Sequence, residues 1–328
     1  MSLAERIAGL RASRGFAHKT DIAGVVGALA RALPNGAADL AQAVAVGDDC
    51  AAIADGDGYL LFAIEGLVAD FVEAMPWFAG YSGVMVNLSD IYAMGGRPIA
   101  VVDALWSEGL DAARAVLDGM AAASTAYGVP IVGGHSNARA GSAQLAVAVL
   151  GRARRLLSGF AARPGDRLLM AVDLRGRFED PYPFWNASVG APGARLRGDL
   201  ELLPALAEDG LCEAAKDISM AGLLGTALML LEASQVGARI DLDAVPRPEG
   251  VDFDRWLGAF PSYGFLLSVR EARVAQVVER FVARGLACAP IGVVDASREL
   301  VLAEGGETGR LWDLRETPFI GAAPGAAR

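Results

Sequence analysis

The chain has 328 residues, of which 53% are apolar, and its formal net charge at pH 7 is −10. This length allows about two domains with a sizeable core. The acidic charge argues against a nucleic-acid-binding surface. No apolar stretch reaches the roughly 20 residues of a membrane helix, and the N-terminus lacks the apolar core of a signal peptide. We therefore expect a soluble cytoplasmic protein without membrane contact.

Three further features of composition bear on function. The three cysteines lie far apart in sequence, so they form neither a disulfide framework nor a metal-binding spacing. The surplus of apolar residues indicates burial against another subunit. Histidine and lysine are scarce, with two of each. The neighbours His18 and Lys19 therefore stand out as candidate catalytic residues.

The first predicted elements are a helix over 20–33 and a β-hairpin over 47–66. In the hairpin, the turn DGDG separates the strand-like runs GDDCAAIA and YLLFAIEG. If the turn is symmetric, paired positions sum to 113, which sets Asp48 opposite Glu65. Two carboxylates that face each other across strands repel. A cation between them would make this arrangement stable.

A helix is predicted over 77–94, and it raises a question about Asp90. Wound at about 100° per residue, it has no purely polar face, and Asn87 and Asp90 share one stripe of an otherwise apolar surface. An unpaired buried carboxylate is costly. We expect this helix to be buried at a domain or subunit interface, with Asn87 and Asp90 directed into a polar site.

The remaining elements alternate between strands and helices, which is typical of α/β domains. The Arg-rich and Pro-Gly-containing stretch near 152–166 predicts a boundary, with one domain over 1–155 and a second over 156–328. In chain order, the predicted elements are a strand at 97–106, a helix at 110–128, the strands VPIVGG and SAQLAVAVLG around the loop HSNARAG, the strand RLLMAVDL, a helix at 199–208, the segment AAKDISMAGLLGTALMLLEAS, the strand YGFLLSV, the helix EARVAQVVERFVARG and the strand APIGVVD.

Several acidic residues lie at the predicted ends of strands and helices, in glycine-rich surroundings. Each has a structural alternative as a turn or cap residue; Asp217, for instance, could precede a helix capped by Ser219. Together they suit Mg²⁺, which prefers hard oxygen ligands and shares them with substrate phosphates. The candidate metal ligands are Asp48, Asp49, Glu65, Asp90 and Asp217.

Two loops have open alternatives. In GGHSN, Gly133 and Gly134 would allow backbone N–H groups to approach a phosphate, or they form an ordinary turn. The aromatic segment 178–185 is either a substrate lid or a packed loop. The P-loop, the dinucleotide-binding glycine motif and the nucleophile elbow of hydrolases do not occur in the sequence.

Taken together, the motifs resemble a known superfamily. NLSDIYAMGGRP, GGHS and the N-terminal SRGFAHK resemble segments of selenophosphate synthetase, where the last is a glycine-rich loop. GDDCAAI and ASQVGARIDLDAVPRP resemble thiamine-monophosphate kinase, and KDISMAGLLGTAL resembles both. The order of these matches identifies the chain as a member of the aminoimidazole ribonucleotide (AIR) synthetase superfamily, with AIR synthase-related proteins as the best fit.

This resemblance implies a fold, a cofactor and a partner. It implies an N-terminal α/β domain that binds ATP and Mg²⁺ and dimerises into a barrel, followed by a C-terminal α/β sandwich domain. The five acidic candidates would hold the metal. Lys19 would lie near the transferred phosphate, with His18 at the position of the catalytic cysteine of selenophosphate synthetase. The nucleotide would be bound by Gly47, Asn87, Gly133, Gly134, His135 and Ser136.

The sequence departs from its relatives at three of these positions. Glu65 replaces an aspartate, His18 replaces cysteine or selenocysteine, and His135 replaces the aspartate of the kinase. These changes argue against selenide and against thiamine phosphate as substrates.

The leading functional hypothesis is an ATP- and Mg²⁺-dependent homodimeric enzyme that phosphorylates an amide or carboxylate oxygen of a small molecule, leading to cyclisation or dehydration, as a ligase or cyclo-ligase does. His18 would act as general acid or base. One alternative is a small-metabolite kinase. Another is a non-catalytic nucleotide-binding subunit that serves as a scaffold for other enzymes of a pathway.

Overall fold

The computed structural model describes residues 1–31 and 46–322. The chain forms two compact units. The larger unit consists of Met1–Asp49, Leu156–Val189 and Leu206–Arg328, and the smaller unit consists of Cys50–Arg155 and Gly190–Ala205. The chain therefore passes between the units at four places, whereas the sequence predicts a single boundary at 155/156, which stays a prediction. The N-terminal helices lie in the larger unit.

Helices and strands alternate along most of the chain. The helices are α1 Leu3–Arg11, α2 Arg14–Arg31, α3 Ala69–Ala74, α4 Pro76–Ala93, α5 Leu110–Tyr127, α6 Gly193–Leu200, α7 Leu202–Glu208, α8 Gly222–Ser234, α9 Phe253–Leu257 and α10 Val274–Val282. The strands are β1 Ala51–Asp55, β2 Gly58–Leu67, β3 Arg97–Trp106, β4 Ile131–Asn137, β5 Gln144–Ala153, β6 Arg167–Val172, β7 Arg177–Phe178, β8 Phe184–Asn186, β9 Ala214–Asp217, β10 Gly237–Asp241, β11 Phe260–Pro261, β12 Gly264–Val269, β13 Ala287–Asp295, β14 Glu299–Glu304 and β15 Glu307–Asp313.

The smaller unit contains an open five-stranded sheet with the order β1-β2-β5-β3-β4. β3 and β4 run parallel, and the other neighbours are antiparallel. Within the part of the chain that the structure describes, this sheet does not close into a barrel. The fold class is the predicted mixed α/β class.

The predicted register of the β1–β2 hairpin is confirmed, because Ala51 pairs with Phe62 and Asp55 pairs with Gly58. The predicted pairing of Asp48 with Glu65 is wrong. The ladder begins at Ala51, so Asp48 lies before the first strand, while Glu65 pairs with Val147 of β5. The chain bends over residues 46–50 because Asp48 and Asp49 make contacts within the larger unit.

Helix α4 is buried for a reason that differs from the predicted one. Fifteen of its 18 residues are buried within this single chain. Glycines allow the close approach to α5: a Cβ on Gly80 would lie 2.0 Å from the carbonyl oxygen of Val116, and one on Gly119 would lie 1.9 Å from that of Trp77. Because α5 and the sheet cover α4, no interface with another domain or subunit is needed to explain its apolar circumference.

The opposite face of the five-stranded sheet is apolar and exposed. Val147 and Val149 of β5 face α4 and are buried, whereas the alternating positions face the other way. On that other face the exposed fractions reach 65% for Ile64 and 50% for Phe62. Three further apolar residues of this face are also exposed, namely Ile53, Val102 and Leu150.

The larger unit is built on a seven-stranded sheet with the order β15-β14-β10-β13-β6-β12-β9. The core of this unit includes helix α8, which is leucine-rich and almost wholly buried. The N-terminal helices join this core: the Phe16 ring of α2 lies 5.3 Å from that of Phe319 and 6.1 Å from that of Trp312. The final described segment is fastened to α8, because Glu232 accepts hydrogen bonds from the backbone nitrogens of Phe319 and Ile320 at 2.7 and 2.8 Å.

Several predicted elements have different bounds in the structure. SRGFAHK is helical except for Ser13, because α2 begins at Arg14. GGHSN is not a loop, because it completes β4. The helix predicted at 199–208 is two helices, α6 and α7. Helix α8 begins at Gly222, so Ser219 does not cap it.

The aromatic segment 178–185 is packed within the larger unit. Strands β7 and β8 form a hairpin, and β11 extends it to a three-stranded sheet. The Trp185 ring lies 5.2 Å from the rings of Phe178 and Trp256, and its Nε1 donates to the carbonyl oxygen of Asp173 at 2.9 Å. These contacts favour the packed-loop alternative. Within the described ranges, no helix is long and apolar enough to span a membrane.

Candidate active site

The main polar cluster of the larger unit lies where β9 ends. The Nζ atom of Lys216 is 2.6 Å from Oδ1 of Asp49 and 3.3 Å from Oδ1 of Asp48. The three side chains are only 2%, 7% and 3% exposed, respectively. Next along β9, the backbone nitrogen of Asp217 donates to Oδ2 of Asp49 at 3.2 Å. The structure therefore brings Asp48, Asp49 and Asp217 to one strand end, with a lysine between the first two.

Asp48 accepts four hydrogen bonds from the protein. Its Oδ2 receives the Ser158 hydroxyl at 2.9 Å and the Gly159 backbone N–H at 2.8 Å. Its Oδ1 receives the Asp49 backbone N–H at 3.1 Å and Lys216 at 3.3 Å. A carboxylate offers about four lone-pair sites. These four contacts argue against Asp48 as a metal ligand.

Lys216 remains charged despite its burial. Burial by itself lowers the pKa of an ammonium group, but the attraction of Asp49 and Asp48 outweighs it and raises the pKa of Lys216 above its ordinary value. Sequence reasoning missed this residue as part of the site. The available signal was that it is one of two lysines and lies directly before Asp217.

Lys19 reaches the same strand end from helix α2. Its Nζ lies 3.3 Å from the Ser219 hydroxyl oxygen, two residues beyond Asp217. One turn earlier on the helix, a Cβ on Gly15 would lie 2.8 Å from Cα of Ala221, so only glycine allows α2 to come this close. The helix thus carries Lys19 to the turn that follows β9.

His18 lies on a different side of α2. Adjacent helical residues are separated by about 100° around the axis, and His18 accepts a hydrogen bond from Nε of Arg14 at 3.4 Å. Gly47, the remaining predicted residue of the larger unit, packs against Ala322: a Cβ at this position would lie 2.3 Å from that of Ala322. This contact accounts for a glycine at 47 without a ligand.

The other predicted residues lie in the smaller unit. Asn87 and Asp90 are buried on α4. Nδ2 of Asn87 donates to the Gly83 carbonyl at 2.7 Å, while its Oδ1 is buried without a hydrogen-bond partner in the described chain. Glu65 is exposed on β2. An unsatisfied buried amide oxygen is costly, so Asn87 is a candidate acceptor for a ligand.

Four predicted nucleotide-binding residues form part of edge strand β4. They are Gly133, Gly134, His135 and Ser136, and all are exposed. Gly134 pairs with Asp103 of β3, and a Cβ at Gly134 would lie 2.4 Å from Oδ1 of Asp103. Glycine is therefore needed at 134 to admit this carboxylate, a reason that differs from the approach of a phosphate.

Asp103 itself was not anticipated from the sequence. Its Oδ2 is buried without a hydrogen-bond partner among the described residues. Burial raises the pKa of Asp103, and a hydrogen bond with its own backbone offsets part of the shift. The only local signal was an aspartate within an otherwise apolar strand.

A preformed metal centre is not evident. Across residues 1–31 and 46–322, no group of three or more histidine, cysteine, aspartate or glutamate side chains is placed to hold a metal ion. Of the five predicted metal ligands, Asp49 and Asp217 lie in the larger unit with Asp48, and Glu65 and Asp90 lie in the smaller unit.

Comparison with known proteins places the chain among relatives along most of its length. Residues 47–153 match the family described as AIR synthase related protein, N-terminal domain, and residues 193–304 match its C-terminal domain. Uncharacterized protein sll0787 of Synechocystis sp. is 50% identical over 281 residues, which are 85% of this chain and 87% of that protein. Uncharacterized protein MJ0640 of Methanocaldococcus jannaschii is 32% identical over 247 residues, which are 74% and 76% of the two chains.

Two solved structures share the fold. PurL of Thermotoga maritima, complexed with ATP, matches with a TM-score of 0.71 at 19% identity, over 87% of this chain and 48% of that one. AaThiL, complexed with AMPPCP and TMP, matches with a TM-score of 0.64 at 19% identity, over 84% and 94%. The chain thus spans about half the length of the PurL chain.

The matched regions include the GDD turn, β2, helix α4, β4 and β9, which carry eleven of the thirteen predicted site residues. Two family domains in order and 50% identity to a relative over most of both chains lead to one assignment: the chain belongs to the AIR synthase related protein family.

Proposed function

We propose that this protein is an ATP-dependent enzyme that phosphorylates an oxygen atom of a small-molecule substrate. The observation that carries the proposal is the placement of Lys19, which helix α2 holds at the Ser219 turn, two residues beyond Asp217. Membership of the family and the fold shared with a PurL chain complexed with ATP support the choice of nucleotide. The substrate oxygen belongs to an amide or carboxylate, and its phosphorylation prepares cyclisation or dehydration.

Lys19 and His18 have different roles in this proposal. The Lys19 ammonium stabilises the negative charge on the oxygens of the transferred phosphoryl group. His18, on the neighbouring side of the helix, exchanges a proton with the substrate or the leaving group. Asn87, with its unsatisfied oxygen, accepts a hydrogen bond from the nucleotide, to which Gly47, Gly133, Gly134, His135 and Ser136 contribute backbone or side-chain donors.

Mg²⁺ is part of the proposal as the partner of the ATP phosphates. When bound, it neutralises phosphate charge and polarises the transferred group. Asp49, Glu65, Asp90 and Asp217 are its proposed ligands, because carboxylate oxygens suit this ion. Asp48 is left out because its lone pairs are occupied.

The decisive experiment measures ATP turnover by the purified protein with a panel of amides and carboxylates, using phosphorus NMR. Lys19→Met should reduce turnover by about 100-fold or more while ATP binding persists, because the charge acts mainly in the transition state. Lys19→Arg retains the positive charge and serves as the matched variant. Equal turnover in the wild type and Lys19→Met would contradict the role of Lys19.

A second test addresses Asp90. Asp90→Asn preserves the size of the side chain but removes its charge, so the fold should persist while affinity for Mg²⁺–ATP falls. Titration calorimetry with and without Mg²⁺ measures this difference. An unchanged Mg²⁺-dependent affinity would remove Asp90 from the set of ligands.

A small-metabolite kinase is the first alternative. It is favoured by the match to AaThiL, which covers 94% of that chain and was solved with AMPPCP and TMP. The products distinguish the two activities: a stable phosphoester indicates a kinase, whereas ADP, inorganic phosphate and a dehydrated or cyclised product indicate activation.

A non-catalytic nucleotide-binding subunit, working with other enzymes of a pathway, is the second alternative. It is favoured by the occupation of Asp48 and Asp49 by Lys216. ATP binding without turnover across the panel would favour this function over the enzyme.

We also propose that the protein is a cytoplasmic homodimer. The support is the exposed apolar face of the five-stranded sheet, where Phe62 and Ile64 are 50% and 65% exposed. Large exposed apolar patches on a protein surface are typical of interaction sites. Covering this face with the same face of a second copy would bury both.

A further inference from the structure

Lys216 stands out among the buried charged residues because it lies between two residues expected to bind a metal. We infer that Lys216 is a positioning residue whose ammonium group serves as the built-in counter-charge of Asp48 and Asp49, in the place of a metal ion. The inference rests on the proposed function in one respect, because the pairing of Lys216 determines which carboxylates remain to bind the metal of the nucleotide.

Lys216 is in direct contact with both aspartates. Its Nζ is 2.6 Å from Asp49 and 3.3 Å from Asp48, and the residue is 1% exposed. A charge so deeply buried is tolerated only when it is paired and hydrogen-bonded. The two aspartates provide this pairing, and the lysine in turn removes the repulsion between two adjacent carboxylates.

Asp48 is also held by donors other than the lysine. Ser158 and the Gly159 backbone bind the far oxygen of Asp48 at 2.9 and 2.8 Å. A Cβ on Gly159 would lie 2.7 Å from Oδ1 of Asp48, so glycine at 159 makes room for this carboxylate. Together with the Asp49 N–H and Lys216 on Oδ1, these donors occupy the roughly four lone-pair sites of Asp48, so a cation finds none free.

The consequence for the site concerns Asp49. Lys216 holds its Oδ1, and the backbone nitrogen of Asp217 holds its Oδ2 at 3.2 Å. Both contacts come from the last two residues of β9, so the strand end fixes the direction of the Asp49 carboxylate. The same strand end is followed by Ser219, which Lys19 contacts. Lys216 therefore sets the position of one proposed metal ligand relative to the proposed phosphate-binding lysine.

The first test asks whether Asp48 binds a divalent cation. Mn²⁺ binding to the nucleotide-free protein is measured by electron paramagnetic resonance for the wild type and Asp48→Asn. We expect the same Mn²⁺ affinity, within twofold, for both proteins. A loss of more than tenfold in Asp48→Asn would overturn the inference.

The second test removes the counter-charge. Lys216→Met retains the length of the side chain but leaves two buried carboxylates unpaired, which should lower the unfolding temperature by about 6–12 °C. Mn²⁺ should then raise the unfolding temperature of Lys216→Met by several degrees more than that of the wild type, because the metal replaces the lost ammonium. Adding Asp48→Asn to Lys216→Met should abolish this extra gain.

The control is Arg239→Met, which removes one positive charge from an exposed position of β10. It should show no extra gain with Mn²⁺. If Mn²⁺ stabilises Lys216→Met no more than the wild type, the inference is overturned. If Lys216→Met does not fold, the comparison of the wild type with Asp48→Asn still decides.

A separate measurement distinguishes failure of the proposed function from failure of this inference. ATP affinity of the wild type is measured by calorimetry on the same preparation. Absence of ATP binding would contradict the proposed function, but it would leave both Mn²⁺ comparisons valid, because neither uses nucleotide.

Discussion

At the scale of single residues, three buried polar side chains differ in how their polar atoms are paired. Lys216 neutralises an aspartate pair, Glu232 anchors the final described segment, and Asp103 has a buried oxygen that finds no partner within residues 1–31 and 46–322. The first two are paired with partners of opposite charge or hydrogen-bond donors, as buried charges require. Asp103 is the exception, and its behaviour with pH can be predicted.

Replacing Asp103 by asparagine should stabilise the protein near neutral pH. Burial raises the pKa of Asp103 in the folded state. The contribution of protonated Asp103 to stability is therefore fully present below the ordinary aspartate pKa of about 4. It is lost as the pH rises through the raised pKa of the folded state. Asparagine has no such loss, so the unfolding temperature of Asp103→Asn should exceed that of the wild type at pH 7, and the difference should vanish in acid.

The measurement is thermal unfolding from acidic to neutral pH, with Asp118→Asn as the control at an exposed position of α5. The control should follow the wild type across the range. A constant difference between Asp103→Asn and the wild type at every pH would show that titration of Asp103 is not the cause.

Replacing Glu232 by glutamine should loosen the final described segment. The two carboxylate oxygens accept the backbone N–H groups of Phe319 and Ile320, and the amide of glutamine can accept only one of them. Hydrogen bonds to buried charged groups contribute about 1.5–3 kcal/mol, so the free energy of unfolding should fall by that amount. Urea denaturation measures it, and exposed Glu279→Gln should cause no comparable loss.

At the level of elements, glycines set how closely helices approach their neighbours. Gly80 and Gly119 form the crossing of α4 and α5, and Gly15 brings α2 to the turn after β9. At each position a Cβ would fall within 3 Å of a backbone atom, closer than real Cβ atoms come. The positions of Asp90 on α4 and Lys19 on α2 therefore depend on glycines elsewhere on the same helices.

We expect Gly119→Ala to destabilise the protein by about 3 kcal/mol, the upper part of the range for overpacked cores. The added methyl group meets the Trp77 carbonyl, which the helix backbone cannot easily move. Gly9→Ala on α1 is the matched control, because nothing lies within 4 Å of its Cβ position. That change should be neutral or stabilising, since alanine favours a helix by about 0.5–1 kcal/mol over glycine. Urea denaturation of both variants would contradict the argument if their losses were equal.

At the scale of the whole molecule, the exposed face of the five-stranded sheet determines the expected assembly. β-Sheet faces that carry several exposed apolar residues are seldom left uncovered in soluble proteins. The proposed homodimer would cover this face in each copy. Its test is independent of nucleotide and substrate.

Replacing Ile64 by lysine should convert the dimer into a monomer, because a charge at the centre of an apolar interface is not paired. Leu110→Lys, at an exposed position at the start of α5, should leave the dimer intact. Sedimentation velocity of the wild type and both variants measures the mass of each. A monomeric wild type, or a dimeric Ile64→Lys, would contradict the proposed assembly.

Much of the local structure could be predicted from the sequence. Strand β3 has the predicted bounds 97–106, helix α4 differs from its prediction by one residue at each end, and the β1–β2 pairs follow the predicted register. The family was also recognisable from the order of the motifs. The strand, the helix and the hairpin register depend on periodicity and turn residues within about twenty positions, so a short window of the sequence is enough to predict them.

The sequence alone therefore determined the α/β class and the helices and strands of most segments, because hydrophobic periodicity and turn chemistry are local properties. It also indicated the family, through the resemblance of its motifs in order to those of known proteins. Tertiary structure alone decided the partners of the polar residues. Asp48 lies between Gly47 and Asp49 in sequence, but three of its four hydrogen bonds come from Ser158, Gly159 and Lys216. The partners of a buried charge depend on which distant segments pack around it. The residues next to it in sequence therefore do not predict those partners.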